Sequence, residues 1–412
     1  MITEKFLEKH SEYHIQFVAN EIKSIKTQDY IKQSIRVFLN DKRLGIASAL
    51  GYADEKELKL KAIENAKLGF TYDYDIETDV HYERNQGDHE LLNEEFLNDY
   101  AKQLQDFLKP YHKYFVFNGA LTGERVKRTI QNSEYMLLHS DRSEYSNWFN
   151  IKQIGNSGII DGYFGFSSFF KMPLPKYIPY IDIILNALLQ KEINVNLNDV
   201  EVAFLGCEPL RKMGSDVNGE FYHQGNSLLA GRLNTQIMRE DICINEVSDD
   251  CDLTIFVPFD HEGIIRNANV SIVKNGVLTH IVYDKKRAKK YDTKTTGNGF
   301  RSFETHPYIG MSPFIPEVTM KSLLEYSYEK TLLIPYMSSG GDFLSNGNFS
   351  FPVQLGFYLK DGKIIGKSPQ LTLTGNYLEI MNQKLIGIAE NDLFGELKQK
   401  PVIICNPKIK EN

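Results

Sequence analysis

Strand-length runs of β-prone residues, most of them closed by a turn signal, recur along this chain and limit it to a fold built mainly on sheets. Residues 200–205 form an apolar run, 253–257 and 270–273 follow, and Asn275-Gly276 makes a turn before 277–283. Residues 332–335, 354–360 and 370–373 continue the pattern, with Asp361-Gly362 in a turn. Earlier in the chain, 12–19 alternate polar and apolar, and 34–39 and 44–50 flank a plausible hairpin turn at 40–43. Residues 115–117, 124–131, 135–139 and 148–154 read as short strands parted by Asn118-Gly119 and Asn132-Ser133. Helical periods are fewer. Residues 55–69 place Leu58, Ala62, Ile63 and Ala66 on one face and stop at Gly69. Residues 91–108, 180–190 and 227–239 also read as helices, and the polar, acidic stretch 71–92 reads as a surface connection. The expected class is α+β. Residues 1–192 make a mixed domain of antiparallel sheet and helices, and 193–412 a β-rich, barrel-like domain, with the boundary in the polar stretch 190–196.

Composition removes several functions. A net charge of −7 gives no basic face for nucleic acid. The run Lys285-Lys286-Arg287-Ala288-Lys289-Lys290 is local, and reads as a solvated helix face or a steering patch for an acidic partner. No stretch reaches the roughly 18 apolar residues of a transmembrane helix. Residues 2–5 after Met1 begin no leader-like apolar run. Cys207, Cys243, Cys251 and Cys405 are scattered without a CxxC pair, which fits reduced thiols in a cytoplasmic protein.

Chemical motifs are sparse. A zinc hydrolase needs two histidines facing one ion and a glutamate to activate water. Ten histidines are present, but no HExxH or HExxxH occurs. His10 and His14 are four apart on a predicted strand, and His261-Glu262 lacks a second histidine, so it reads as a charged turn. No GxSxG, Walker A or GxGxxG pattern appears. Ser338-Ser339-Gly340-Gly341-Asp342 reads as a flexible loop, and Gly297-Asn298-Gly299 as a tight turn.

One series is more specific. Phe259-Asp260-His261-Glu262-Gly263-Ile264 leads to Val273-Lys274-Asn275-Gly276-Val277-Leu278, then Ala288-Lys289-Lys290-Tyr291, then Thr296-Gly297-Asn298-Gly299-Phe300-Arg301. Its order and spacing resemble the TldD/PmbA family, long called modulators of DNA gyrase. Ile130-Gln131-Asn132-Ser133, Gly347-Asn348-Phe349-Ser350 and Thr374-Gly375-Asn376-Tyr377-Leu378 are similar to further family elements. The likeness is strongest in 255–301 and 345–380.

The resemblance implies a division of labour. Family members pair a zinc-bearing TldD-type subunit with a non-catalytic TldE/PmbA-type subunit around a chamber that holds an extended peptide. The catalytic type carries His-Glu-x-x-x-His after a buried strand, and a late cysteine as a further ligand. Here that strand corresponds to 202–205, and Gly206-Cys207-Glu208-Pro209-Leu210-Arg211 follows, without either histidine. The late ligand would fall near 396–398, so Cys405 is expected to be an ordinary strand residue. The resemblance thus implies a partner subunit whose metal site is emptied at Gly206, Cys207 and Arg211. Zinc is expected in a TldD-type partner and no cofactor in this chain. Thr296, Gly297, Asn298, Gly299, Ser339, Gly340 and Gly341 are the candidates for lining the chamber. A homodimer that binds peptides without cutting them is the alternative, and neither reading needs nucleic acid or a membrane.

Overall fold

A computed structural model describes residues 1–156, 158, 160–171, 173–338, 342–395 and 401–411. The first half is one twisted sheet. Strands β1 (Ile2–Val18), β2 (Glu21–Phe38), β3 (Leu44–Leu50), β4 (His81–Gln86), β5 (Phe115–Asn132), β6 (Leu137–Gln153) and β7 (Gly162–Ser168) form it in the order β3-β2-β1-β5-β6-β4, with β7 also on β6. Every neighbour pair is antiparallel except β4 with β6. Helices α1 (Glu55–Asn65), α2 (Glu94–Leu108) and α3 (Ile178–Leu189) accompany it. Helix α1 begins where Asp54 accepts the N–H groups of Lys56 and Glu57, and a short 3₁₀ turn carries it to Gly69 at φ +86°.

The predicted strands of 115–154 are longer than expected. Asn118-Gly119 lies inside β5 and makes no turn. Gly119 sits there because a Cβ would lie 2.1 Å from the Trp148 carbonyl oxygen across the ladder. The turn comes at Asn132-Ser133 as expected, where the Asn132 side chain accepts from the N–H of Glu134 and Met136. The 71–92 connection contains β4, paired with β6. Residues 227–239 are successive turns, not a helix, and Gly231 and Asn234 both hold positive φ there.

Strand β8 (Val200–Leu205) opens a nine-stranded sheet. Its order is Leu385–Ala389, Val402–Cys405, β8, Thr331–Ser338, Asn348–Lys360, Leu371–Asn376 and Lys408–Glu411, with Asp342–Phe343 and Lys363–Lys367 added on Asn348–Lys360. A four-stranded sheet orders Val277–Leu278, Asn269–Lys274, Ile244–Val247 and Phe314–Pro316. Among the described residues neither sheet closes, so the second half is not a barrel. Closure is replaced by cover on both faces. Ala203 and Leu205 join a core with α2, α3 and the N-terminal sheet, while Val202 and Phe204 join a second core with the four-stranded sheet. Residues 202–205 of β8 are apolar without a break, as two-sided burial requires, and Glu201 near its start accepts from the Tyr326 hydroxyl at 2.8 Å. The first core draws on residues before and after position 192. No helix among the described residues is long and apolar enough to cross a membrane.

Candidate functional site

Two parts of the recognised series, 259–264 and 296–301, fold into one buried polar junction. At 259–264 the chain turns tightly around the Asp260 carboxylate. That group accepts from the N–H of Glu262 and Ile264 (each 2.9 Å) and from the N–H of Gly299 (3.0 Å). The N–H of His261 donates to the Gly299 carbonyl at 2.9 Å, and the N–H of Arg301 donates to His261 Nδ1 at 2.9 Å. The loops 259–264 and 296–301 are therefore laced together backbone to side chain. Gly299 has to be glycine here, since a Cβ would stand 2.1 Å from Glu262 Oε2, which is itself pinned by the Lys285 N–H at 2.7 Å.

The charged-turn reading of His261-Glu262 is half right. It is a turn, but Asp260, His261 and Glu262 are all buried. The reason is tertiary: the N-terminal sheet covers them. Arg36 on β2 donates to the His261 carbonyl at 3.0 Å and pairs with Glu4 on β1. Burial and the Asp260 charge beside it push the Glu262 carboxyl up to about 8, and burial lifts Asp260 to about 6. Burial, reinforced by Arg128 and Arg301, holds His261 well below its ordinary range, so it serves as a neutral acceptor at Nδ1. The basic run is also only partly solvated. It forms the short helix Lys285–Lys290, and Lys285 is buried with its Nζ 2.7 Å from Glu77.

A second knot ties the junction to the four-stranded sheet. Glu246 Oε1 accepts from Arg266 Nη2 (2.7 Å), Asn298 Nδ2 (2.8 Å) and the Ser312 N–H (2.7 Å). Asn298 also donates to the Gly310 carbonyl and accepts from the Thr296 hydroxyl. Of the four predicted loop residues, Gly297, Asn298 and Gly299 are buried. Thr296 lines a groove of about 430 Å³ together with Ile264, Ile265, Val270, Ile281 and Tyr283. The predicted Ser339, Gly340 and Gly341 lie outside the described residues.

The segment after β8 was the other sequence-predicted place. Gly206 leaves the strand at φ +96°. Glu208–Leu210 make a 3₁₀ turn with Pro209 buried, and a six-residue helix, Arg211–Asp216, follows. Cys207, Glu208 and Asp216 are its metal-ligand types, but Asp216 is already held by Lys212 and by the Tyr377 hydroxyl at 2.8 Å, and Arg211 at the exposed surface adds a cation. This donor set does not fit a tetrahedral zinc site, which draws on three or four converging His, Cys or acidic ligands. The 396–398 counterpart of the late ligand lies outside the described residues, and its sequence is Glu396-Leu397-Lys398. Cys405 is a fully buried strand residue facing Val202, and burial pushes its thiol up. His223 is elsewhere, with Nε2 3.0 Å from the Tyr283 hydroxyl and its ring stacked on Tyr291.

Among the described residues one set of three His, Cys or acidic donors gathers within 4.8 Å: His10, Glu12 and Glu124, on β1 and β5. Both His10 nitrogens are already engaged, by Glu124 at 3.1 Å and Glu8 at 2.7 Å, and Arg142 and Lys32 supply the cations. The set is an ion-pair lattice across strands. Glu4, Arg36, Glu246 and Arg266 are not legible in the sequence, because each meets its partner 20 or 32 positions away; an ionisable residue inside a strand's apolar pattern is the one signal that could have flagged them.

Comparison with known proteins agrees with this architecture. Residues 210–410 match the family model of the PmbA/TldA metallopeptidase C-terminal domain. A metalloprotease TldD homolog from Buchnera aphidicola subsp. Schizaphis graminum is 27% identical over 184 residues, covering 44% of this chain and 38% of the relative. A metalloprotease from Archaeoglobus fulgidus is 31% identical over 180 residues, covering 42% and 41%. The aligned stretch is thus well under half of each curated relative. The structure of TldE from Thermococcus kodakarensis superposes with a TM-score of 0.83 at 19% identity, covering 100% of this chain and 97% of that one. A candidate DNA gyrase modulator from Thermotoga maritima superposes at 0.76 and 16% identity, covering 99% and 96%. Residues 210–410, nearly half of this chain, thus belong to the C-terminal domain of the TldD/PmbA metallopeptidase family, and the whole chain shares the fold of TldE.

Proposed function

We propose that this chain is a TldE/PmbA-like, non-catalytic subunit that assembles with a TldD-type zinc peptidase and helps hold short, unfolded peptides for cutting. The observation that carries this reading is the segment after β8. Where the family's zinc subunit has His-Glu-x-x-x-His, this chain has Gly206 to Arg211, with a buried proline and no histidine. The fold likeness to TldE supports the choice of subunit type. The groove beside Thr296 is a suitable wall for an extended peptide. Its aliphatic side chains accept varied residues, while backbone pairing supplies affinity with little sequence preference. Cleavage belongs to the partner's metal-activated water, in a cytoplasmic complex.

Two measurements test this. The chain purified alone is expected to carry no stoichiometric zinc and to leave an unfolded peptide intact. Co-expression with a TldD-type chain is expected to give a stable complex that cleaves the same peptide. Stoichiometric zinc in the isolated chain, or a failure to form any complex, would sink the proposal. A stable homodimer that retains peptides without cleaving them would point to the alternative instead.

A further inference from the structure

The groove beside Thr296 joins an apolar lining, Ile264, Val270 and Ile281 above all, to polar groups of one sign of charge. Two short ties set its walls. The Thr296 N–H donates to the Tyr283 carbonyl at 3.1 Å and the Tyr283 N–H to the Thr296 hydroxyl at 2.8 Å, which holds 293–296 against 281–283. On the other side Gly297, at φ +75°, brings the chain close to 264–266: a Cβ there would stand 3.2 Å from both Arg266 Cγ and Ile264 Cγ2. At about 430 Å³ the groove is near the small end of ligand sites, which run from roughly 300 to 1,000 Å³. It suits the last residues of a chain better than a long stretch of it.

No aspartate or glutamate lines the groove, while Arg266, His280 and Lys294 all do. The Arg266 charge is already used: its Nη2 lies 2.7 Å from Glu246 and its Nη1 2.6 Å from the Ser312 hydroxyl. Lys294 differs. It is exposed, and its ammonium has no hydrogen bond or ion pair among the described residues. His280 is half-buried, and neither of its ring nitrogens has a partner among them. Burial holds its imidazole below the ordinary range, against the opposing charge of Glu246, so the neutral ring offers one N–H donor. An ammonium and an imidazole left open on one apolar groove, with no acid lining it, fit an anionic group carried on an apolar body. The ammonium end of a peptide finds no counter-charge there. The carboxylate end does, and every peptide with a free end carries that carboxylate whatever its sequence.

We propose that this groove takes the C-terminal end of a peptide, with the carboxylate on Lys294 and His280 and the last aliphatic side chains against Ile264, Val270 and Ile281. This rests on the peptide-holding reading and gives the held peptide a direction. The full-length chain is titrated with N-acetyl-dileucine, with its C-terminal carboxamide, and with an N-acetyl-leucyl-aspartate amidated at its C-terminus, whose one charge is a side-chain carboxylate. The imidazole resonances of His280, assigned by their loss in His280→Gln, report binding at the groove. The free acid is expected to bind about tenfold tighter than its carboxamide, the scale of one hydrogen bond to a charged group. Lys294→Ala, a change at an exposed side chain, should remove most of that preference and leave the affinity for the carboxamide unchanged. Equal affinity for acid and carboxamide overturns the proposal and leaves the peptide-holding reading standing. The same holds if the amidated aspartate peptide binds as tightly as the free acid, or if Lys294→Ala leaves the preference intact. If none of the three moves the His280 resonances, the proposal falls together with the groove as a peptide wall, while complex formation with a TldD-type chain tests the subunit reading apart from it.

Discussion

The chain holds two dense groups of acidic side chains, and they are handled in opposite ways. On the N-terminal sheet, burial tends to raise Glu8, but hydrogen bonds from His10 and Arg128 and the Arg128 charge outweigh it and hold the carboxyl below its usual range. Glu124 is held down by the His10 hydrogen bond and by Arg142. At the junction, Asp260 and Glu262 are raised, because their contacts are mostly backbone N–H groups and burial dominates. The sheet face keeps its acids charged with cations on neighbouring strands. The junction raises the proton affinity of its acids by excluding water. The first is a cross-strand lattice whose rim at Glu124, Arg128 and Arg142 is open to water and tolerates change, and the second is an interior that does not.

The largest effect is expected where a buried pair loses one member. Arg266→Met leaves Glu246 charged and 2% exposed, and breaking a buried pair in this way costs about 3–5 kcal/mol. Urea denaturation would measure it, and adding Glu246→Gln should recover part of the loss. If Arg266→Met costs no more than a surface substitution, the contrast between the two regions fails.

Gly299→Ala should come next. The new methyl would meet the pinned Glu262 carboxyl, an overpacking that costs about 1–3 kcal/mol, read as a lowered thermal midpoint. A silent Gly299→Ala would mean that the two loops are less tightly laced than the hydrogen bonds imply.

The pH dependence separates the regions by sign. The folded-state value of Glu262, about 8, lies above its ordinary 4.5, so its contribution is present below 4.5 and is lost as pH rises from about 4.5 to about 8. Glu262→Gln should flatten that decline, by up to roughly 1 kcal/mol per pH unit. Glu8 and Glu124 are lowered, so their contribution is lost as pH falls below 4.5. Stability profiles of the wild type and of Glu262→Gln that coincide between pH 5 and 8 would refute the assignment.

The smallest effect belongs to the sheet face. Glu124→Gln should cost about 1 kcal/mol or less at neutral pH, since Glu124 and Arg142 are each more than a quarter exposed. A loss as large as that of Arg266→Met would show that the lattice is structural in the same sense as the junction.

Local signals made much of the frame legible. The hairpin at 40–43, helix 55–69 with its glycine stop, the Asn275-Gly276 and Asp361-Gly362 turns and the apolar strand 200–205 all follow from periodicity and turn chemistry. Two of the five Asn-Gly pairs show the limit of that approach. Asn275-Gly276 turns, with both residues at positive φ. Asn118-Gly119 runs straight through β5, because a neighbouring strand holds it extended and uses the missing side chain as room. The same dipeptide does either, and the partner strand decides.

By itself, the sequence determined the α+β class, the order of motifs that marks the family, and the lack of histidine at 206–211, since each depends on residue identity and short-range spacing. Only the tertiary structure decided that the second half is made of open sheets covered on both faces, and that His261-Glu262 lies in the interior. It alone brought Arg36 and Glu4 from the first strands to residues more than two hundred positions away. Burial is a property of what packs over a segment, and a cover contributed by distant strands leaves no trace in the residues it covers.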